Sequence, residues 1–235
     1  MVLARRQSLL LTLGFALAAA LALAALPAGL ANVSAAPAVP TTYNVDRMDD
    51  VLFAACTGAA NDCSLRGAIA NANVNPGSTV VLQFNGHYTL TNVPLQDLIL
   101  SANMTLTVGS GICGTPPCYT MILGGAGWAF RLLTVNPGAN VRINGITFQN
   151  GNGSAAGTGG GIHNEGNLML LNSRVMSNTA TALANYGGGI YNTGMLVLDN
   201  SQVGNNSGYV GGGIANNGGN LTVRIVHGLA DEPDR

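Results

Sequence analysis

Three copies of one short pattern constrain this chain more than any other feature. Gly159-Gly160-Gly161-Ile162-His163-Asn164 recurs as Gly187-Gly188-Gly189-Ile190-Tyr191-Asn192 and again as Gly211-Gly212-Gly213-Ile214-Ala215-Asn216. The steps are 28 and 24 residues. A second element keeps the same register: Val141-Arg142-Ile143, Leu168-Met169-Leu170, Leu196-Val197-Leu198 and Leu221-Thr222-Val223. Periods of this size belong to solenoids, in which each repeat buries its apolar face on the next.

The variation between copies tells inside from outside. The two flanking positions of the second element stay aliphatic, while the middle one runs Arg142, Met169, Val197, Thr222. That is period-2 alternation with the middle residue outward. Stacked coils then place like on like: aliphatic ladders inside, and an Asn ladder from Asn164, Asn192 and Asn216 at a turn, where amides can bond from coil to coil. Gly161, Ile162 and Asn164, with Gly189, Ile190, Asn192, Gly213, Ile214 and Asn216, are read as structural repeat residues. The Gly triplets are expected at coil corners, where bends and positive φ are needed.

The expected fold is all-β: a right-handed parallel β-helix of four to six coils, by the handedness of parallel crossovers, over 79–226. Short β-rich runs separated by Gly, Asn or Pro lead into the repeats: 79–84, 88–91, 104–108, 121–123 and 131–135. An N-terminal cap over 43–78 precedes them. In it, Leu65, Ala68, Ile69 and Ala72 recur at helical spacing. Asp62 or Ser64 can cap the helix start, and Pro76-Gly77 ends it.

The first 31 residues read as a signal peptide. Arg5 and Arg6 are followed by an apolar run from Leu9 to Leu26, with cleavage expected after Ala31. An uncleaved anchor is the alternative, because the run is long. Residues 32–42 form a linker, and 227–235 a charged tail outside the repeat. The absence of a pattern after Val223 is read as a longer surface protein cut short. Four cysteines fall in two close pairs, Cys56 with Cys63 and Cys113 with Cys118. Outside the cytoplasm these are expected as two local disulfides. Neither pair has zinc-ligand spacing.

The cap carries a family resemblance. Cys63-Ser64-Leu65-Arg66-Gly67-Ala68-Ile69, with Cys56 before it and Asn71-Ala72-Asn73 and Asn75-Pro76-Gly77 after it, resembles the CSLREAI-type domain of bacterial surface and secreted proteins. It departs at Gly67, where the family motif has Glu. The resemblance implies location and architecture more than activity. The GGGI elements, paired with Val175-x-x-Asn178 and Val203-x-x-Asn206, also resemble the repeats of polymorphic outer-membrane proteins, which pair GG[A/G]I with FxxN.

Composition narrows the functions. The chain has a net charge of -1, only 8% charged residues and no lysine. No field is available to attract nucleic acid or anionic lipid; membrane contact is expected only through an uncleaved N-terminal segment. Without lysine there is no P-loop, and neither G-x-S-x-G nor H-E-x-x-H occurs. In the repeats, Glu165 and Asp199 are the acids, in different columns, and read as isolated surface charges. His163 aligns with Tyr191 and Ala215, and Arg174 with Gln202 and Thr147, so both read as variable outward positions. Asp46, Asp49 and Asp50 read as loop charges rather than a weak Ca²⁺ set. No catalytic residue, metal site or cofactor is assigned. The expected function is an exported structural or adhesive protein, with glycans or other surface proteins as partner classes. The alternative is a polysaccharide-degrading β-helix enzyme, which needs converging carboxylates or Ca²⁺ with a base.

Overall fold

In the computed structural model, residues 39–114, 117–155 and 157–224 are described. The expected signal peptide, most of the expected linker and the charged tail lie outside them. The described chain winds through five coils, each contributing one strand to each of three parallel sheets. The first coil has Ser78–Leu82, His87–Leu90 and Leu98–Leu100. The second has Met104–Val108, Thr120–Gly124 and Leu133–Val135. The third has Asn140–Asn144, Ile146–Gln149 and Ile162–Asn164. The fourth has Asn167–Leu171, Arg174–Met176 and Ile190–Asn192. The fifth has Met195–Asp199, Gln202–Gly204 and Ile214–Asn216. Asn220–Arg224 opens a sixth on the first face, and Thr42–Asn44 pairs with Ser78–Leu82 at the other edge of that sheet. The fold is thus the expected parallel β-helix, with strand ends shifted by a residue or two.

The register follows the aligned columns. On the first face Val80, Leu106, Ile143, Leu170, Leu198 and Val223 stack in one ladder. Met104, Val141, Leu168, Leu196 and Leu221 stack in the next inward column. On the second face the inward ladder is Tyr88, Ile122, Phe148, Val175, Val203. On the third it is Leu98, Leu133, Ile162, Ile190, Ile214. Apart from Leu221 and Val223 in the last strand, these side chains form one continuous core or pack against it. Burying aliphatic surface at about 25 cal/mol per Å² is the main driving force available to a chain so poor in charge.

Asparagines occupy a neighbouring inward column of the third face. Asn164 Nδ2 donates to Asn192 Oδ1, and Asn192 Nδ2 to Asn216 Oδ1, each at 2.6 Å. Leu100 and Val135 hold the same column in the two coils before. The ladder therefore starts against an aliphatic side chain, and Asn164 Oδ1 is buried with no hydrogen-bond partner among the described residues. A second ladder joins Asn178 to Asn206 at 3.0 Å, and Asn178 Oδ1 accepts the Gly151 amide. This is the column of the FxxN-like element, with Gly151 one coil earlier.

The three glycines of each triplet serve different ends. Only the first has positive φ, +69° at Gly187. In the first two triplets the second and third lie against backbone of the next coil, the third also beside an Asn side chain (Asn178 or Asn206). A Cβ on Gly188 would sit 2.4 Å from the Ser207 carbonyl oxygen and 2.5 Å from that of Gly212. At Gly160 and Gly188 the corner is thus main chain stacked on main chain, with no room for a Cβ.

Helix α1, Leu65–Val74, covers the open end of the first coil. Of the two candidate caps, Ser64 is used: its hydroxyl accepts the Gly67 amide at 3.0 Å, and Asp62 instead accepts from Thr57. Leu65, Ala68, Ile69 and Ala72 are buried as their spacing predicts. Gly67 is required where it stands, because a Cβ there would meet the Phe53 carbonyl oxygen at 1.9 Å. No glutamate can occupy that position with this backbone. Both expected disulfides are present, Cys56–Cys63 in the cap and Cys113–Cys118 in a loop of the second coil.

Candidate functional site

The inward columns carry no chemistry, so any site must sit on outward positions. On the third face the outward ladder is Ile99, Thr134, His163, Tyr191, Ala215. Charged groups gather at its middle. Arg131 stands two residues before Leu133, where Gly160 stands before Ile162, so its side chain reaches the coil above. Its Nη1 contacts His163 Nδ1. Asp97, from the corner before Leu98, lies 3.9 Å from the same guanidinium and accepts from the Thr134 hydroxyl at 2.5 Å. Glu165, just past the His163 strand, lies 3.9 Å from His163 Nε2.

The roles follow from the donor inventory. A guanidinium only donates, so His163 Nδ1 is the accepting nitrogen and the neutral ring carries its proton on Nε2, toward Glu165. Burial, and then the adjacent Arg131 charge, hold the His163 imidazole below its usual range, against the pull of Glu165 and Asp97. Burial also lowers the Arg131 guanidinium, opposed by the same two carboxylates. With its single lone pair facing Arg131, His163 has none to offer a substrate proton. Asp97 and Arg131 are mostly covered, whereas the Glu165 side chain is 40% exposed.

Aromatic rings extend this cluster toward the later coils. The Tyr191 ring packs edge-on against His163, with centroids 5.2 Å apart. Tyr186 lies 6.3 Å from Tyr191 at a tilt of 34°. Asn217 Nδ2 donates to the Tyr191 hydroxyl at 2.7 Å. Tyr186 pairs in parallel with Val210 of the next coil, and Tyr209 and Val210 are exposed.

The other sequence candidates do not converge. Asp199 is on the first face, in register with Leu171 and Arg224, whereas Glu165 follows the third-face strand Ile162–Asn164. Arg174 is on the second face, outward as expected, and lies over the Tyr119 ring at 4.2 Å. The three N-terminal acids part company: Asp46 accepts the Cys63 amide, Asp49 pairs with Arg47, and Asp50 pairs with Arg66. Among the described residues no group of three metal-ligating side chains comes together. A groove of about 340 Å³ crosses the first face over Thr105, Arg142, Met169 and Val197, edged by Asn103, Asn140 and Asn167. No acid lines it, so it offers no acid–base pair.

Glu165 is therefore not the isolated charge its column suggested. Asp97, Arg131, Thr134 and Tyr186 carry no signal in the sequence repeat, which is hard to see in the first two coils. The available signal was the Arg131–Val135 run: aligned on Ile162, it places Arg131 and Leu132 where later coils have glycine.

No protein-family model matches this chain, no curated protein matches it, and no solved structure matches it. The likeness to the CSLREAI-type domain rests on the residues quoted for it alone. Among the described residues, no helix is long and apolar enough to cross a membrane. Two closed disulfides fit an oxidising, extracellular setting.

Proposed function

We propose that this is an exported or cell-surface β-helix protein with a structural or adhesive role and no catalytic activity. Its partners are glycans or other surface proteins, met on outward positions of the coils. One observation carries the reading. The columns that recur, aliphatic, Asn and Gly, all hold the coils together, while the outward columns vary from coil to coil. Selection for a stacked scaffold with a changeable exterior suits display better than turnover. The N-terminal hydrophobic segment supplies the export signal, and the disulfides suit the destination.

The competing reading is a polysaccharide-degrading enzyme. Glu165 beside His163 is the feature that favours it. Against it, the imidazole lone pair is engaged by Arg131, and Asp97 is tied to Thr134 and Arg131. The purified chain is to be incubated with acidic and neutral polysaccharides, with and without Ca²⁺. The expected result is binding without product. Turnover that is lost in Glu165→Ala or Asp199→Ala overturns the proposal.

A further inference from the structure

We infer that Tyr186, Tyr191 and His163, with Glu165 and Asn217 at the rims, form a binding site for a neutral glycan on the third face. The inference rests on the adhesive reading and gives it a place and a ligand class. Three rings from two neighbouring coils pack together there, with Tyr186 the open one at 38% exposed and His163 beneath, its side chain 16% exposed. Aromatic rings present apolar area at little entropic cost, and sugar rings offer C–H faces that pack on them. Hydroxyls around a sugar ring need donors and acceptors in the same plane. Asn217, exposed and fixed by its bond to the Tyr191 hydroxyl, and Glu165, 40% exposed, supply both kinds.

Charge selects among glycans. The exposed charged group is the Glu165 carboxylate, whereas Arg131 is mostly covered and bracketed by Asp97 and Glu165. A uronate or sulfated sugar would meet the carboxylate first, at a cost in repulsion. A neutral sugar meets only hydrogen-bonding groups. Tyr186 pairs through its backbone with exposed Val210 of the next coil, so apolar surface continues along the helix axis and favours an oligosaccharide over a single sugar.

The test uses the full chain, secreted and disulfide-bonded. Binding of neutral hexasaccharides (β-1,4-glucan, β-1,3-glucan and N-acetylated chito-oligosaccharide) is measured by calorimetry beside polygalacturonate and dextran sulfate. At least one neutral oligosaccharide is expected to bind, and Tyr186→Ala and Tyr191→Ala each to weaken it about tenfold or more. Tyr119→Ala, on the second face, serves as the control and leaves binding unchanged. Tyr186 is 38% exposed, and thermal unfolding of Tyr186→Ala checks that the fold survives. Neutral-glycan binding that ignores both third-face variants, or binding confined to the two acidic polymers, overturns the site but keeps an adhesive protein. Binding to no glycan overturns the site and removes glycans from the adhesive reading as well.

Discussion

The first and last described layers of the solenoid share one interior and differ in what the described residues place over it. At the N-terminal end α1 covers the first coil, and Leu82 and Val80 are fully buried. Arg66 reaches down from α1 to pair with Asp50, whose carboxylate also accepts the Thr91 and Asn92 amides at 2.6 Å. Arg66 further donates to the Gln96 carbonyl, so one side chain ties helix, cap loop and first coil together. At the C-terminal end, Leu221 and Val223 extend the columns of Leu196 and Leu198, yet they are 39% and 55% exposed where their predecessors are 0% and 4%. Among the described residues nothing covers them. A stacked core thus stabilises a coil only when there is a layer on both sides, and identical columns should differ in worth with position.

Breaking the cover should have the largest effect. Arg66→Ala leaves the Asp50 carboxylate buried without its cation, and such losses cost about 3–5 kcal/mol. Chemical denaturation should show a lowered midpoint, with the first coil's amides exchanging faster. Core truncation tests the comparison directly. Leu82→Ala should cost about 2–5 kcal/mol, as for buried Leu elsewhere, whereas Leu221→Ala, already 39% exposed, should cost under about 1 kcal/mol by the same transfer scale. Equal losses would mean that the two ends are equally covered. Removing the Cys56–Cys63 bridge, with its 7-residue separation, should cost about 2–3 kcal/mol in the chain-entropy account.

Smaller effects belong to the polar layers. Asn192→Ala breaks the ladder between Asn164 and Asn216 and should cost about 1–3 kcal/mol by the rule for orphaned buried groups. The smallest is a pH effect at His163, which faces Arg131, Glu165, Asp97 and Tyr191. Its folded pKa is below that of the unfolded chain. Folding therefore releases protons, and the neutral imidazole's contribution is intact above the unfolded value of about 6.5 and lost as pH falls through the folded one. His163→Gln should flatten the stability profile between neutral and mildly acidic pH. An unchanged slope would remove His163 from the account.

Much of the core is legible in the sequence. The columns at Val141, Leu168, Leu196 and Leu221 are the observed register, because an inward aliphatic cannot drift without moving its whole strand to the wrong face. The helix was legible for the same reason, through Leu65, Ala68, Ile69 and Ala72. The first two coils were not. Met104 and Val141 are register partners 37 residues apart, since the disulfide loop interrupts the second coil, and Leu100 and Val135 hide the Asn column. The candidate site was lost with them: Asp97 and Arg131 belong to those coils. Long-range pairing of an Arg in a corner with a His one coil later leaves no local signature.

The central claim is a single stacked core, closed by α1 at one end and uncovered in its last described strand. Hydrogen–deuterium exchange of the native chain, resolved along the sequence, tests it most directly. The account predicts strong protection in the first-face strands from Ser78 through Leu171, falling in Met195–Asp199 and lowest in Asn220–Arg224. Uniform protection to Arg224, or weakest protection at Ser78–Leu82 beneath α1, would contradict it.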